Sequence, residues 1–274
     1  MLVDSHCHLD RVSLKPYAGS VSAMMEATVS DGVGHMLCVS IDLERYPKMR
    51  SLVQPYEQVS VSVGVHPNER HRRDPAPEEL VELAADPRNV AIGETGLDYY
   101  RSQGDLGWQQ QRFRNHIAAA RSCGKPLIVH SRDAREDTIA ILREEQARDT
   151  GGVLHCFNES WEMARQALDL GFYISFSGIL TFRAADDLRD VARQLPKDRI
   201  LIETDCPYLT PEPYRGRPNE PRFVSQVAAR LGEIRGMDPA EVARVTSENF
   251  FRLFPGAAAQ SSPRTGSDWP NASD

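Results

Sequence analysis

Histidine and carboxylate residues that could bind a metal ion recur along this 274-residue sequence, each where a short apolar run ends. His6 and His8 are two residues apart, and so are Glu203 and Asp205. Residues at that spacing project from the same side of a β-strand, so each pair can reach one ion. The residues of this type at the ends of apolar runs are His6, His8, His66, Glu94, His130, His155, Glu203 and Asp205.

The number of these residues indicates more than one metal ion. Four histidines and two carboxylates exceed the ligands of one tetrahedral site, which predicts two divalent cations that share a carboxylate and activate a water molecule. An imidazole-rich ligand set favours zinc, manganese or iron over magnesium, which prefers oxygen ligands and retains its waters. The identity of the ions stays open among magnesium, manganese and zinc.

The elements that must position these residues alternate regularly along the chain. Eight short runs rich in valine and isoleucine predict buried strands, and their starts lie 20 to 36 residues apart with helical periodicity between most of them. This alternation predicts a single (β/α)8 TIM barrel, with a doubly wound open sheet as the second architecture. The predicted strands are 2–5, 35–40, 59–65, 90–93, 126–129, 152–154, 172–176 and 200–204; the clearest helices are 21–31, 78–85, 108–122, 135–145, 162–170, 185–194 and 239–253.

In a barrel, the carboxyl ends of all the strands meet at one mouth, where the active sites of this fold lie. The candidate ligands are therefore expected to lie close together at this mouth. The barrel is expected to occupy residues 1–254, because the small, polar and aperiodic segment 255–274 is typical of a disordered tail.

Composition limits the class of protein. With 41% hydrophobic and 26% charged residues, the chain is neither disordered nor collagen-like. No apolar run approaches the ~18 residues of a membrane span, and the start has no basic and apolar leader, so we expect a cytoplasmic protein without a membrane partner. Five widely spaced cysteines without a CxxC pair predict reduced thiols.

The motifs around these residues, in order along the chain, resemble the TatD family of metal-dependent deoxyribonucleases. The resemblance covers residues 1 to about 254, and two departures, Thr95 for an expected isoleucine or valine and Asn158 for the commoner serine, remove no candidate ligand. The motifs are DSHCHLD at 4–10, GVHP at 64–67, GETGLDY at 93–99, PLIVHSR at 126–132, HCF at 155–157, SGI at 177–179, ETDCPY at 203–208 and RGRPNEP at 215–221.

The resemblance implies a hydrolase of the amidohydrolase-like group with one or two divalent metals in a barrel. One metal would be bound by His6, His8, Glu94 and Asp205, and a second by Glu94, His130 and His155. Glu94 would bridge the two ions.

Roles for three further groups follow as hypotheses. We expect Asp205 to orient the attacking water and to accept its proton. His66 is expected to contact the phosphate of the substrate, with a role as a third ligand or as a hydrogen-bond partner of a ligand as the alternative. Glu203 is expected to hydrogen-bond a ligand histidine rather than to act in catalysis.

Arginine and aromatic residues in the loops after the strands favour a phosphate-bearing substrate, and Arg132 and Arg215 are the predicted substrate contacts. The formal net charge of −7 would repel a long polyanion, so a nucleic acid must be bound locally. A 3′-5′ exodeoxyribonuclease that acts on the ends of single-stranded DNA, or of RNA, fits these features, with no obligate protein partner. The loop residues are Arg70, Arg72, Arg73, Arg101, Arg132, Arg215, Arg217, Tyr99, Tyr100, Phe157 and Tyr208.

Two other functions are compatible with the same ligands. An activated water attacks a carbonyl carbon as well as a phosphorus atom, so an acyl hydrolase such as a D-aminoacyl-tRNA deacylase or an amidase is the first alternative. A metal-stabilised binding protein is the second, against which the complete set of candidate ligands argues.

Overall fold

The computed structural model describes residues 1–258 as eight parallel strands, each paired with the next in sequence. The first and last strands are joined by backbone hydrogen bonds from Asp205 N to His6 O and from His8 N to Cys206 O, both 2.9 Å long. The predicted (β/α)8 barrel is thereby confirmed, and the open sheet is excluded. The strands are β1 Leu2–Cys7, β2 Val33–Cys38, β3 Val59–Val63, β4 Asn89–Asp98, β5 Leu127–Arg132, β6 Gly152–Leu154, β7 Tyr173–Phe176 and β8 Ile200–Ile202.

The helices between the strands cover the outside of the barrel. The seven predicted helices are all present, and three more are found at Tyr46–Val53, Val224–Arg235 and Pro255–Ala258. In the described part of the chain, no helix is long and apolar enough to cross a membrane. The helices are α1 Val21–Ser30, α2 Tyr46–Val53, α3 Pro77–Ala84, α4 Gly107–Cys123, α5 Arg135–Glu144, α6 Trp161–Asp169, α7 Asp186–Gln194, α8 Val224–Arg235, α9 Pro239–Leu253 and α10 Pro255–Ala258.

Strand β4 continues for five residues beyond Gly93, where the prediction ended it. A register shift between Ile92 and Thr95 places an irregularity at this point, after which β4 pairs with β5 again as far as Asp98. Gly93 has φ +143°, and a Cβ atom there would lie 2.6 Å from Ile128 O, so only glycine fits. Such a bulge re-aims the next side chain, and that side chain is Glu94.

The amino end of the barrel is closed by aromatic side chains. Phe250 of α9 and Phe254 are fully buried and belong to one cluster with Val3, Leu37 and Leu201 from three strands. Because this end is filled, the carboxyl ends of the strands form the open face of the barrel. Substrate access is therefore expected at that face.

The boundary of the predicted tail is corrected by the structure. Residues Pro255–Ala258 form the short helix α10, and Ala257 is fully buried in the cluster that contains Val90 and Phe254. The small residues of this segment are typical of a tail in the sequence, but Ala257 is packed into the core. The rest of the predicted tail lies outside the described residues. All five cysteines are free thiols, as expected.

Candidate metal centre

The predicted ligands of the first metal meet at the carboxyl ends of β1, β4 and β8. His6 Nε2 lies 3.3 Å from His8 Nε2 and 3.4 Å from Glu94 Oε2. Asp205 Oδ1 completes the group at 3.4 Å from His8 Nε2 and 3.7 Å from His6 Nε2. His6, His8 and Asp205 each offer a ligand atom, and these atoms all lie within 4.8 Å of one another, which suits the binding of a single cation.

The predicted ligands of the second metal gather around the other oxygen of Glu94. Oε1 lies 2.7 Å from His155 Nε2 and 3.2 Å from His130 Nδ1. His66 Nε2 is also 3.2 Å from Oε1, so His66 lies within the second group rather than beside it. Both roles considered for His66, phosphate contact and third ligand, are compatible with this position. Glu94 stands between the two groups with one oxygen toward each.

The donor set fits divalent cations. His8 Nδ1 donates to Val39 O at 2.9 Å, so His8 Nε2 carries a lone pair toward the group. That lone pair faces His6 Nε2 and the carboxylates of Glu94 and Asp205. The side chain of Glu94 is only 2% exposed. Lone pairs and negative charges that converge in a buried space repel one another unless a cation or a proton lies between them.

The outer nitrogens of two further histidines are held by carboxylates. Glu203 Oε1 lies 3.2 Å from His155 Nδ1, which is the contact expected for Glu203. Asp98 Oδ2 lies 3.2 Å from His130 Nε2. A carboxylate on the outer nitrogen fixes the orientation of an imidazole and raises its basicity as a ligand. Both histidines therefore present a defined nitrogen to Glu94.

Electrostatics keep the two central carboxylates ionised. Burial alone would raise the pKa of Glu94, but the nearby His155 and His66 imidazoles hold that pKa well below its usual range. Burial also acts to raise the pKa of Asp205, and the neighbouring His8 and His6 imidazoles lower it. Cations bind the ionised form, so both groups are ready to act as ligands.

Asp98 is a functional residue that the sequence reasoning left without a role. Besides His130, it accepts hydrogen bonds from Asn68 Nδ2 at 2.7 Å and from Arg101 N at 2.9 Å. Its backbone N–H donates to the buried side chain of Gln109, also at 2.9 Å. The sequence did contain a signal for this role. Asp98 lies in the GETGLDY motif at an even spacing from Glu94, and residues at even spacing lie on one face of a regular strand.

Helix α4 holds the loop that carries His66. The fully buried Arg112 donates to His66 O at 2.9 Å and to Glu69 O at 3.1 Å, and its Nε pairs with Asp74. One turn later, His116 Nε2 accepts a hydrogen bond from Val65 N at 3.0 Å. Polar residues spaced three and four apart on an otherwise apolar helix face were the sequence signal for this contact.

A cavity of about 570 Å³ opens above the two ligand groups. Four of the loop residues predicted to bind substrate line it: Tyr100, Arg101, Arg132 and Tyr208. Arg11 lines it as well and was not among the predicted contacts.

Other predicted contacts point elsewhere. The Arg215 guanidinium packs over the Phe182 ring at 4.0 Å and donates to Thr210 O at 3.2 Å, away from the cavity wall. Arg73 is paired with Glu79. A substrate contact from Arg215 stays a prediction.

Comparison with known proteins agrees with this site. A sequence model of the family described as TatD related DNase matches residues 3–255. The chain belongs to the TatD family. As a member, it is a metal-dependent hydrolase, and the donor set described above is consistent with that assignment.

Individual relatives align with this TatD-family chain over nearly its whole length. The "uncharacterized metal-dependent hydrolase YcfH" of Escherichia coli K12 is 50% identical over 254 residues, which is 92% of this chain and 95% of that protein. YabD of Bacillus subtilis, named in the same way, is 39% identical over 93% of this chain and 99% of that protein. The crystal structure of YjjV, a TatD homologue from E. coli, superposes with a TM-score of 0.83 at 28% identity, over 93% of this chain and 98% of that one.

Proposed function

We propose that this protein hydrolyses phosphodiester bonds as a 3′-5′ exonuclease on the ends of single-stranded DNA, or of RNA, with two divalent metal ions as cofactors. The observation that supports the proposal is the set of residues that line the cavity. Its floor holds the two ligand groups that share Glu94, and its walls hold Arg11, Arg101 and Arg132 with Tyr100 and Tyr208. Guanidinium groups suit phosphate oxygens, and aromatic rings suit nucleobases.

Divalent cations bound by these ligands would act as Lewis acids on the phosphate and lower the pKa of a water molecule. Of the two central carboxylates, Asp205 is the more exposed, with 13% of its side chain exposed against 2% for Glu94. Its low pKa keeps it ionised, and it can therefore orient the attacking water and accept a proton from it. His66 Nε2 and Arg132 are the groups assigned to the phosphate oxygens.

A strand end suits this cavity better than a long duplex does. The overall charge of −7 opposes a polyanion, and three arginines neutralise only a few phosphates. The affinity gained is therefore local and is greatest where only a terminal segment has to be held. This argument favours exonucleolytic action on single strands.

The test is the hydrolysis of labelled single-stranded oligonucleotides. Protein stripped of metal is reloaded separately with magnesium, manganese or zinc, and product release is followed with 3′-labelled and 5′-labelled strands of DNA and RNA. The proposal requires metal-dependent release of mononucleotides from the 3′ end, and loss of that release in Glu94→Ala, whose folding is checked by circular dichroism. The active metal also identifies the preferred ion.

Other results would replace the proposal. If no metal supports cleavage of DNA or RNA, the nuclease assignment is wrong, and D-aminoacyl-tRNA esters and amides become the substrates to examine, because the same ligands serve an attack on a carbonyl carbon. Release from the 5′ end, or internal cleavage, would keep the chemistry and overturn the polarity.

A further inference from the structure

Tyr100 and Arg132 form a stacked pair at the rim of the cavity. The Arg132 guanidinium carbon lies 3.9 Å from the centroid of the Tyr100 ring. Tyr100 is nevertheless 62% exposed, and among residues 1–258 the only other exposed large aromatic side chain is Tyr208. Since Arg132 covers one face of the ring, the exposed surface belongs to the opposite face and the ring edge. The pair offers an open aromatic face backed by a positive charge.

The pair is built on the same strands as the metal centre. Arg132 is the last residue of β5 and pairs in register with Asp98, the last residue of β4, while Tyr99 N donates to Arg132 O at 2.9 Å. His130 lies two residues before Arg132, a distance of about 7 Å along a strand. The backbone pairing of β4 with β5 therefore fixes the distance between the Tyr100–Arg132 pair and the candidate ligand His130.

Tyr208, the other exposed aromatic side chain of the cavity, is placed differently. Its ring meets the His8 ring at 69° with 6.1 Å between the centroids, an edge contact. No cation–π partner accompanies Tyr208 among residues 1–258. Of the two rings, only Tyr100 is held flat by a charged group, which is the condition for a stacking surface.

We propose that the Tyr100–Arg132 pair binds the nucleobase of the terminal nucleotide, so that the site selects phosphodiesters that carry a base. This inference rests on the proposed function and deepens it. A base stacked on the open face of Tyr100 benefits from the ring itself and from the guanidinium behind it. Stacking is tolerant of base identity because every base has a π face, so the subsite distinguishes a nucleotide from an abasic sugar phosphate rather than one base from another.

The experiment compares two oligodeoxynucleotides that differ only at the 3′ end, one ending in thymidine and one in a tetrahydrofuran residue without a base. The ratio of their kcat/KM values is measured for the metal-loaded wild type, Tyr100→Ala and Tyr100→Phe. The matched control is Tyr214→Ala, because Tyr214 also lies beneath an arginine, Arg217, but outside the cavity.

The wild type is expected to prefer the thymidine end by about tenfold or more. Tyr100→Ala should bring the ratio close to one, whereas Tyr100→Phe, which keeps the aromatic face, and Tyr214→Ala should retain it. A ratio near one in the wild type, or an unchanged ratio in Tyr100→Ala, would overturn the inference while the exonuclease assignment stands.

A failure of the proposed function is recognised separately. In that case the wild type cleaves neither oligonucleotide, and the subsite is tested by calorimetric binding of thymidine 5′-monophosphate against 1,2-dideoxyribose 5-phosphate to the metal-loaded protein. Tighter binding of the nucleotide that is lost in Tyr100→Ala supports the subsite without the activity. Equal binding of the two compounds overturns it.

Discussion

Asp98 Oδ2 lies 3.2 Å from His130 Nε2, so the other nitrogen of that imidazole, Nδ1, faces Glu94. Asp98 is itself fixed by Asn68 and by the backbone N–H of Arg101. The orientation of a candidate metal ligand is thus set by hydrogen bonds that Asp98 accepts from the loops after β3 and β4. A substitution of Asp98 should therefore change the affinity for the metal, although Asp98 belongs to neither ligand group.

Replacing Asp98 by asparagine should weaken binding of the ion next to His130 by about 10- to 100-fold. The amide can still accept a hydrogen bond, but it lacks the negative charge that makes the imidazole a stronger donor to the metal. Competition with a graded series of chelators measures the affinity. Asp105→Asn, an exposed change in the loop that precedes α4, is the control, and equal affinities in the two variants would contradict the role assigned to Asp98.

Asp205→Asn tests the proton acceptor. We expect kcat to fall by about 100-fold or more, because general-base catalysis is lost while the amide oxygen remains available to a metal. Metal content per chain is measured on the same sample as the rate of hydrolysis. Full activity with metals bound would show that Asp205 does not accept the proton.

His66→Ala separates the two roles that remain open for this residue. As a phosphate contact, His66 can be removed without loss of metal, and hydrolysis should slow by about 10- to 1000-fold as charge stabilisation is lost. Metal analysis of the purified variant is the deciding measurement. The 3.2 Å distance from His66 Nε2 to Glu94 Oε1 makes the opposite result concrete: loss of one ion per chain would establish His66 as a ligand.

The positions of the candidate ligands were predictable because they depend on local rules. Apolar runs identify strands, a period of two places His6 and His8 on one face, and barrel closure gathers the strand ends. The end of β4 was not predictable in the same way, since Gly93 interrupts the apolar run and resembles a terminator. The strand continues beyond it because residues Thr95 to Asp98 pair with β5, a contact distant in the sequence.

The walls of the cavity were harder to predict than its floor. Arginines in loops look alike in a sequence, and tertiary contacts decide which of them face the cavity. Arg132 lies on the wall over Tyr100, whereas Arg215 is turned onto Phe182 and Arg73 onto Glu79. Arg112 was missed for the opposite reason, because a charged residue in a helix is usually exposed and this one is fully buried.

Arg112→Met should destabilise the fold by about 3 kcal/mol, because the carbonyls of His66 and Glu69 lose their donors in a buried site. Arg114→Met, two residues along α4, removes exposed ion pairs to Glu144 and Glu145 and should cost less than about 1 kcal/mol. Chemical denaturation of both variants in chelator measures the difference. Equal losses would show that Arg112 does not hold the His66 loop.

The buried His116 should make the free energy of unfolding depend on pH. Burial lowers the pKa of His116 from 6.5 to about 4, and its neutral ring donates from Nδ1 to Arg112 O and accepts at Nε2 from Val65 N. Below pH 6.5 the unfolded chain takes up a proton that the folded chain refuses, so the free energy of unfolding falls as the pH falls toward 4.

Between about pH 7 and about pH 5 this single group should remove about 2 kcal/mol of stability. His116→Gln keeps one donor and one acceptor but does not titrate, so its stability should fall by that much less over the same range. Urea denaturation of both proteins across this range is the measurement. Both are studied in chelator, so that the ligand histidines contribute equally and cancel in the comparison. Parallel pH profiles for the two proteins would mean that His116 is not held neutral by burial.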